Sequence, residues 1–257
     1  MKIIIVLEKY GGFCNRLFQS LHYHAFTIEK GLQFYNPTML GLLKFDNNFY
    51  YFLDNFNNFL LKCISKLIKF LFGKDEFCFY FSKNNYIRFV SGWDYREYSL
   101  TIKHHEALKK IYSFEKKHLN EKFLSFIRFL NFQKKEDKFL VGLHVRRGDY
   151  KKWNQGRFFF NDEVYRDVIF KLKNKLVEDN KNPYFIVVSN ENLKSEIGAD
   201  FFYKGSWRED QIILQSCDLI IGPPSTFTMW ASYISETPLI KLDPTKEINF
   251  NGNICLG

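Results

Sequence analysis

The segment Phe139-Leu-Val-Gly-Leu-His-Val-Arg-Arg-Gly-Asp-Tyr150 decides how this chain reads: an apolar run that ends abruptly in a cluster of charge. A short stretch rich in Val and Leu, with charged Lys134 to Lys138 before it and Arg146 after it, has the pattern of a strand covered on both faces. In an open α/β sheet the ligand crevice lies just beyond the carboxyl ends of such strands, which places His144, Arg146, Arg147 and Asp149 there. Two adjacent guanidiniums are costly to crowd unless an anion or a carboxylate lies between them, and their forks match phosphate oxygens. Gly148 lets the chain turn sharply. Two other readings fit the same residues: an exposed arginine pair after an ordinary strand, and an adhesion tripeptide at Arg147-Gly148-Asp149. The tripeptide needs a protruding loop, whereas this one follows directly on a predicted core strand.

Outward from that segment the carboxyl half alternates. Strands are expected at 139–145, 184–189, 218–221 and 239–242, with helices at 162–177, 209–216 and 226–234, so the strands should lie parallel with helices on both faces. The ends at Val145, Ser189 and Gly222 then face one crevice. The stretch Asp218-Leu-Ile-Ile-Gly-Pro-Pro-Ser-Thr-Phe-Thr-Met-Trp230 reads as a strand, a stop and a helix capped by Ser225 or Thr226. A helix start with free N–H groups and hydroxyls is a ready phosphate site. Beside Arg146 and Arg147 it would complete a diphosphate cradle.

The amino half begins with a strand at 3–7, a glycine turn at Gly11-Gly12 and a helix over 17–30 closed by Gly31. No G-x-G-x-x-G or Walker lysine is present, so a tight turn and a phosphate cradle both remain open for Gly12, Asn15 and Arg16. His22 and His24 on that helix read as structural. Further on, strands are expected at 32–35, 77–81 and 86–90, with a turn at 83–85, an aromatic loop at 91–95 and helix over 102–132. Charged 133–138 reads as a hinge, giving domains 1–137 and 138–257. The apolar stretch 56–72, interrupted by Lys62, Lys66 and Lys69, fits either a helix packed on its own domain or a basic amphipathic helix resting on lipid.

The whole chain is consistent with a globular protein of ordinary size. Its 257 residues are ample for one large or two modest cores, and 46% hydrophobic with 19% aromatic content excludes a disordered chain. The charge sum of 37 − 28 = +9 points to an anionic partner: nucleotide phosphates, an acidic membrane surface or nucleic acid. Five scattered cysteines with no C-x-x-C pair indicate neither a zinc site nor a disulfide framework. The apolar start ends at Glu8 without a small-residue cleavage site and reads as a core strand, which with the thiols gives a cytoplasmic location, peripheral on the inner membrane face in the lipid-resting alternative.

Three motifs now carry a resemblance. His144-Val-Arg-Arg-Gly-Asp-Tyr150 resembles the H-x-R-R-x-D motif of the bacterial α-1,2-fucosyltransferases (glycosyltransferase family 11) and their α-1,6- and protein O-fucosyltransferase relatives. Gln211 to Gly222 with Ser225-Thr-Phe-Thr-Met-Trp230 is similar to their later serine or cysteine-acid run into S-[ST]-F-S-W-W, and Gly11-Gly-Phe-Cys-Asn-Arg-Leu-Phe-Gln19 to their amino-terminal G-x-G-N-Q-x-F-Q. The match is specific in the second half and patchy in the first. It implies an α/β, GT-B-like enzyme of two Rossmann-like halves, with the carboxyl half binding a GDP-sugar and the amino half on the acceptor side.

It also implies roles by position. Arg146 would contact the β-phosphate and steady departing GDP, supported by Arg147; His144 and Asp210 would address guanine and ribose; Ser225, Thr226 and Phe227 would hold the diphosphate; Gly12, Asn15 and Arg16 would face sugar or acceptor. The reaction would be an inverting transfer of L-fucose from GDP-β-L-fucose to a glycan hydroxyl, in α-1,2 linkage, during surface polysaccharide or oligosaccharide synthesis. No D-x-D triplet is present, which agrees with a metal-independent reaction and no cofactor. Cys14, Arg16 and Met229 stand where the family commonly has Gly, Gln and Trp, and Pro223-Pro224 is an unusual lead-in to the helix. Lys151 to Gln155 offers no carboxylate, which leaves the general base open; Asp149 is the nominal choice because it lies beside the leaving group, its alternative role being to orient Arg146 or Arg147 through a salt bridge. Rival readings are a transferase for another GDP-sugar of deoxy-heptose or rhamnose type, and a non-catalytic glycan- or nucleic-acid-binding protein, although no nucleic-acid-binding module is recognisable.

Overall fold

The computed structural model describes residues 2–39, 48–72, 77–82, 85–91, 93, 95–113, 119–191, 197–248, 250 and 252–255, with backbone alone for 48–55, 72 and 77–82. The chain divides into two compact units, residues 1–118 with 256–257 and residues 119–255. The expected turn residues Lys83 and Asn84, the loop residues Gly92 and Asp94, and Phe114 of the long expected helix lie outside the described residues.

The first unit is built on β1 (Lys2–Val6), which pairs in parallel with β2 (Gln33–Tyr35) on one side and β4 (Asn85–Val90) on the other. β3 (Phe77–Ser82) adds an antiparallel edge, so the order is β2-β1-β4-β3. Helix α1 (Phe13–Lys30) returns the chain from β1 to β2 and buries Leu17, Phe18 and Leu21. It starts four residues before its apolar spacing suggests, because Gly12 caps it in an extended conformation, and Gly31 at φ 61° ends it in the left-handed region that suits glycine. His22 and His24 are structural: Nδ1 of His22 accepts from the Glu97 N–H at 3.0 Å, and His24 bonds the Tyr112 hydroxyl at 3.1 Å. Burial, reinforced by the Arg96 charge, holds His22 neutral with a pKa of about 4.

Residues 98–112 form two short helices, α3 (Tyr98–Lys103) and α4 (His105–Tyr112), broken at His104. A longer helix, α2 (Asn48–Phe72), precedes them in the same unit. No helix among the described residues is long and apolar enough to cross a membrane.

The second unit opens earlier than the charged hinge suggests. Helix α5 (Glu121–Lys135), read from sequence as the end of the first half, buries Phe123 and Leu130 against the second unit's strands. Phe126 and Phe129 pack on aromatic side chains of that sheet, with Phe126 4.8 Å from Phe201 and Phe129 6.2 Å from Tyr184 between ring centroids. Its apolar face therefore belongs to the carboxyl core.

That core is one parallel sheet: β5 (Lys138–Val145), β6 (Asn182–Ser189), β7 (Phe201–Tyr203), β8 (Leu219–Gly222) and β9 (Leu239–Lys241), in the order β7-β6-β5-β8-β9. Counted within the unit this is 3-2-1-4-5, the order of a doubly wound nucleotide-binding domain. Helix α6 (Asp162–Glu178) contributes Val168, Ile169 and Leu172 to the cluster with Val141 and Leu143. The helices α7 (Trp207–Gln215) and α8 (Thr226–Ser235) place Ile213, Leu214 and Ala231 in another cluster with Leu140 and Ile220. A Cβ at Gly142 would stand 2.9 Å from Cys217 Sγ and from Leu214 Cδ2, so the absence of a side chain in mid-strand lets this layer settle closely on β5.

Candidate active site

The topology puts two strand ends side by side at the point where the chain reverses direction across the sheet. β5 continues to β6 on one side, while β8 lies against β5 on the other, with Leu143 opposite Val187 and Ile221, and Val145 opposite Ser189. The bare Cα of Gly222 makes that closeness possible, since a Cβ there would stand 2.9 Å from the His144 carbonyl. Ligands of open α/β sheets bind at such a reversal point.

Arg146 leaves β5 and is fixed by Asp149, with Nε 3.0 Å from Oδ1 and NH2 donating to Oδ2 at 3.0 Å. The guanidinium also lies 5.5 Å from the Tyr150 ring centroid. This pair is open to solvent on the Asp149 side, where such an interaction contributes ~1 kcal/mol at most. An incoming anion can therefore take the guanidinium at small cost.

Arg147 does not stand beside it. It is buried; NH1 donates to the Phe160 carbonyl at 2.5 Å and NH2 pairs with Asp162, while its backbone N–H donates to Asn190 Oδ1 at 2.8 Å. The expected double cation at the strand end is thus corrected. Repulsion between adjacent guanidiniums is relieved by sending each to its own carboxylate, not by an anion shared between them. Arg147 braces the loop that carries Arg146.

On the β8 side Pro223-Pro224 leads into α8, where Ser225 Oγ accepts from the Phe227 N–H at 3.0 Å. The Tyr150 hydroxyl donates to the Pro224 carbonyl at 2.6 Å and joins the two loops. Thr226 opens the helix, and Thr228 Oγ1 turns back to the Ser225 carbonyl at 3.0 Å. Guanidinium, helix-start N–H groups and hydroxyls make a donor set suited to an anion.

Behind these loops lie His144 and Asp210, both expected in the open crevice and both buried. His144 is only 2% exposed, its ring tilted on Phe227 at 4.9 Å, and burial together with the Arg146 charge holds it neutral with a pKa of about 3. The correction has a plain cause: His144 is still within β5, facing the layer that α8 covers. Asp210 sits in the first turns of α7, where Ser206 and Glu209 form a reciprocal cap. Burial, then the adjacent Glu209 carboxylate, pushes Asp210 up to about 8, so it is protonated at neutral pH. Among the described residues, Nδ1 of His144 and Oδ1 of Asp210 are buried without a hydrogen-bond partner.

These residues fall inside the segment that identifies the chain, for residues 80–251 match the model of glycosyl transferase family 11. The chain belongs to glycosyl transferase family 11. It is 30% identical over 155 residues to mouse galactoside α-(1,2)-fucosyltransferase 2, covering 53% of this chain and 42% of that protein. It is 32% identical over 108 residues to rat galactoside α-(1,2)-fucosyltransferase 1, covering 37% and 28%. The chain thus spans less than half the length of the curated relatives it matches. Among solved structures it resembles the NodZ α-1,6-fucosyltransferase soaked with GDP-fucose, with a TM-score of 0.54 over 98% of this chain and 100% of that one at 12% identity. The NodZ fucosyltransferase from Bradyrhizobium gives a TM-score of 0.52 at 12% identity, over 97% of this chain and 98% of that one. This likeness is one of fold, GT-B-like.

One further feature of this sheet edge lies outside the sequence motifs. A cleft of about 550 Å³ opens at the carboxyl ends of β6 and β7, bordered by Ser189, Asn190, Glu191, Tyr203, Lys204 and Gly205. Asn190 connects it to the Arg146 loop through the Arg147 N–H. The signal in the sequence was Ser189-Asn-Glu directly after a predicted core strand; β7, only three residues long, gave no comparable cue.

In the first unit, Gly11 turns at φ +59° with the Asn15 amide directly against it, so close that a Cβ at Gly11 would overlap Nδ2. Asn15 is partly exposed beside Gly12. Arg16 is not available to a sugar: it is buried and donates to the Thr38 carbonyl at 2.8 Å, tying α1 to the turn after β2.

Proposed function

We propose that this family 11 chain transfers L-fucose from GDP-β-L-fucose to a glycan hydroxyl with inversion, forming an α-1,2-fucoside. The observation that carries the reading is Arg146, paired with the exposed Asp149 carboxylate, beside the Ser225-capped start of α8 at the reversal point of a 3-2-1-4-5 sheet. The similarity to galactoside α-(1,2)-fucosyltransferases supports the linkage, and the fold it shares with a fucosyltransferase soaked with GDP-fucose supports the donor.

In this reading the donor diphosphate displaces Asp149 from Arg146 and takes donors at Ser225 and Thr226, while the Phe227 N–H holds the Ser225 hydroxyl in place. As the bond from anomeric carbon to phosphate oxygen breaks, the electron pair goes to GDP. Arg146 and the helix start meet that charge, and no metal is required of them. The released Asp149 carboxylate accepts the proton of the acceptor hydroxyl that attacks the opposite face. The β6–β7 cleft has room for a nucleoside, and neutral Asp210 and His144 support the surrounding loops from behind.

The test is a thermal-shift comparison of GDP and UDP with EDTA present, followed by transfer assays with GDP-fucose and competing GDP-sugars. GDP at a hundred times its dissociation constant should stabilise by about 2.7 kcal/mol, and Arg146→Ala should remove most of that shift and about 10²–10³ in turnover. Unaltered GDP binding and turnover in folded Arg146→Ala would overturn the assignment. Preference for another GDP-sugar would keep the site and change the substrate.

A further inference from the structure

The helix α2 is amphipathic in the reverse of the usual sense. Its inward face is narrow and partly polar: Asn58, Leu61 and Ser65 are buried, Ser65 Oγ bonds Glu8, and Asn57 donates to the Pro37 carbonyl at 2.7 Å. Phe56, Phe59, Leu60, Ile64, Leu67, Phe70 and Leu71 point outward, with Phe59 63% and Phe70 85% exposed. Their spacing of three and four makes one continuous stripe, running about 22 Å along the helix at 1.5 Å per residue. Core packing of the first unit does not account for it. Scattered exposed apolar side chains are ordinary, but a contiguous stripe of large ones marks an interaction surface.

The charge beside the stripe selects the partner. Lys62, Lys66 and Lys69 line one flank, and from Phe56 to Phe72 there is no acidic residue. Lys69 lies 3.5 Å from Glu8, while Lys62 and Lys66 are exposed. A second copy of the helix brings the same lysines and no counter-charge, so stripe-to-stripe pairing of two copies gains nothing electrostatically. An anionic lipid surface accepts both features: the aromatic and aliphatic side chains enter the headgroup boundary while the lysines stay among phosphates. At +9 overall, the chain as a whole is drawn to the same surface.

We propose that α2 is a membrane-surface helix that lays Phe59, Leu67 and Phe70 into the boundary of an anionic bilayer with Lys62 and Lys66 on its headgroups. The contact is peripheral, since the helix keeps its polar face on its own unit.

The experiment is co-sedimentation of the whole chain with vesicles of phosphatidylcholine alone and of phosphatidylcholine with about one third phosphatidylglycerol, at low and high salt. The chain should bind the anionic vesicles and be released by salt. Phe59→Ser with Phe70→Ser should lower the partition coefficient about a hundredfold. Lys62→Gln with Lys66→Gln should lower it about thirtyfold, on anionic vesicles only. All these side chains are exposed, so far-UV circular dichroism and the GDP thermal shift should be unchanged, which separates this outcome from failure of the donor site. Absence of vesicle binding, equal binding to both lipid mixtures, or binding indifferent to both double variants would overturn the proposal. A concentration-dependent dimer abolished by the phenylalanine variant, without vesicle binding, would overturn it in favour of a second copy.

Discussion

Replacing Asp210 by Asn should make stability less dependent on pH between about 4 and 8. Burial first, and the Glu209 charge second, carry this carboxyl from 3.8 to about 8 in the folded chain. Between those values the folded state keeps a proton that the unfolded state has released. Folding therefore takes up a proton, and each pH unit across the window costs about 1.4 kcal/mol. The contribution is fully present below pH 4, declines as pH rises through the window, and levels off above 8. Four units set a ceiling on the order of 5 kcal/mol for the change over the whole range.

Asparagine has nearly the same shape and no proton to release. The unfolding free energy of the native sequence minus that of Asp210→Asn should thus fall by several kcal/mol from pH 4 to 8 and then stay constant. Urea denaturation followed by tryptophan fluorescence at half-unit pH steps measures it. Glu209→Gln, which keeps a side chain able to close the cap on Ser206, should pull the upper end of the window below 8. Parallel stability curves for the native sequence and Asp210→Asn would refute the protonated assignment.

Three further outcomes are expected. Asp149→Asn should reduce turnover about 10²–10⁴-fold while preserving the GDP thermal shift; near-normal turnover would leave Asp149 only the orienting role its contacts with Arg146 display. Asp162→Ala strips a buried guanidinium of its carboxylate and should lower stability by about 2–4 kcal/mol in urea titrations, far more than removal of the exposed Asp149. Gly142→Ala forces a methyl to within 2.9 Å of Cys217 and Leu214, and a loss of about 1–3 kcal/mol in the same titration checks that the layer on β5 cannot retreat.

The carboxyl half was legible because its signals are local and repeated. Apolar runs such as 139–145 and 184–189 end in polar residues at the sheet's functional edge, and alternation with helices left little choice but a parallel sheet. Side-chain direction was not legible. Arg146 and Arg147 are neighbours in sequence and look equivalent, yet one faces solvent and the other is consumed by Phe160 and Asp162, partners 13 and 15 residues away. His144 and Arg16 were misplaced for the same reason, since burial depends on what covers a residue from another element. The boundary near Lys134 to Lys138 followed charge, whereas α5 follows its phenylalanines. As for α2, the periodicity 56–72 states that a helix has an apolar stripe but not which way that stripe faces.

The bond from the Tyr150 hydroxyl to the Pro224 carbonyl has a consequence for timing. It joins the loop after β5 to the loop after β8, and two successive prolines with fixed φ stiffen the second of these. For the proposed donor this leaves little conformational freedom to surrender on binding, so recognition should be fast and its entropy loss small. The same tie couples the two loops, so in the proposed reaction release of GDP should loosen both strand ends together, and departure of the nucleotide is the step expected to slow the cycle.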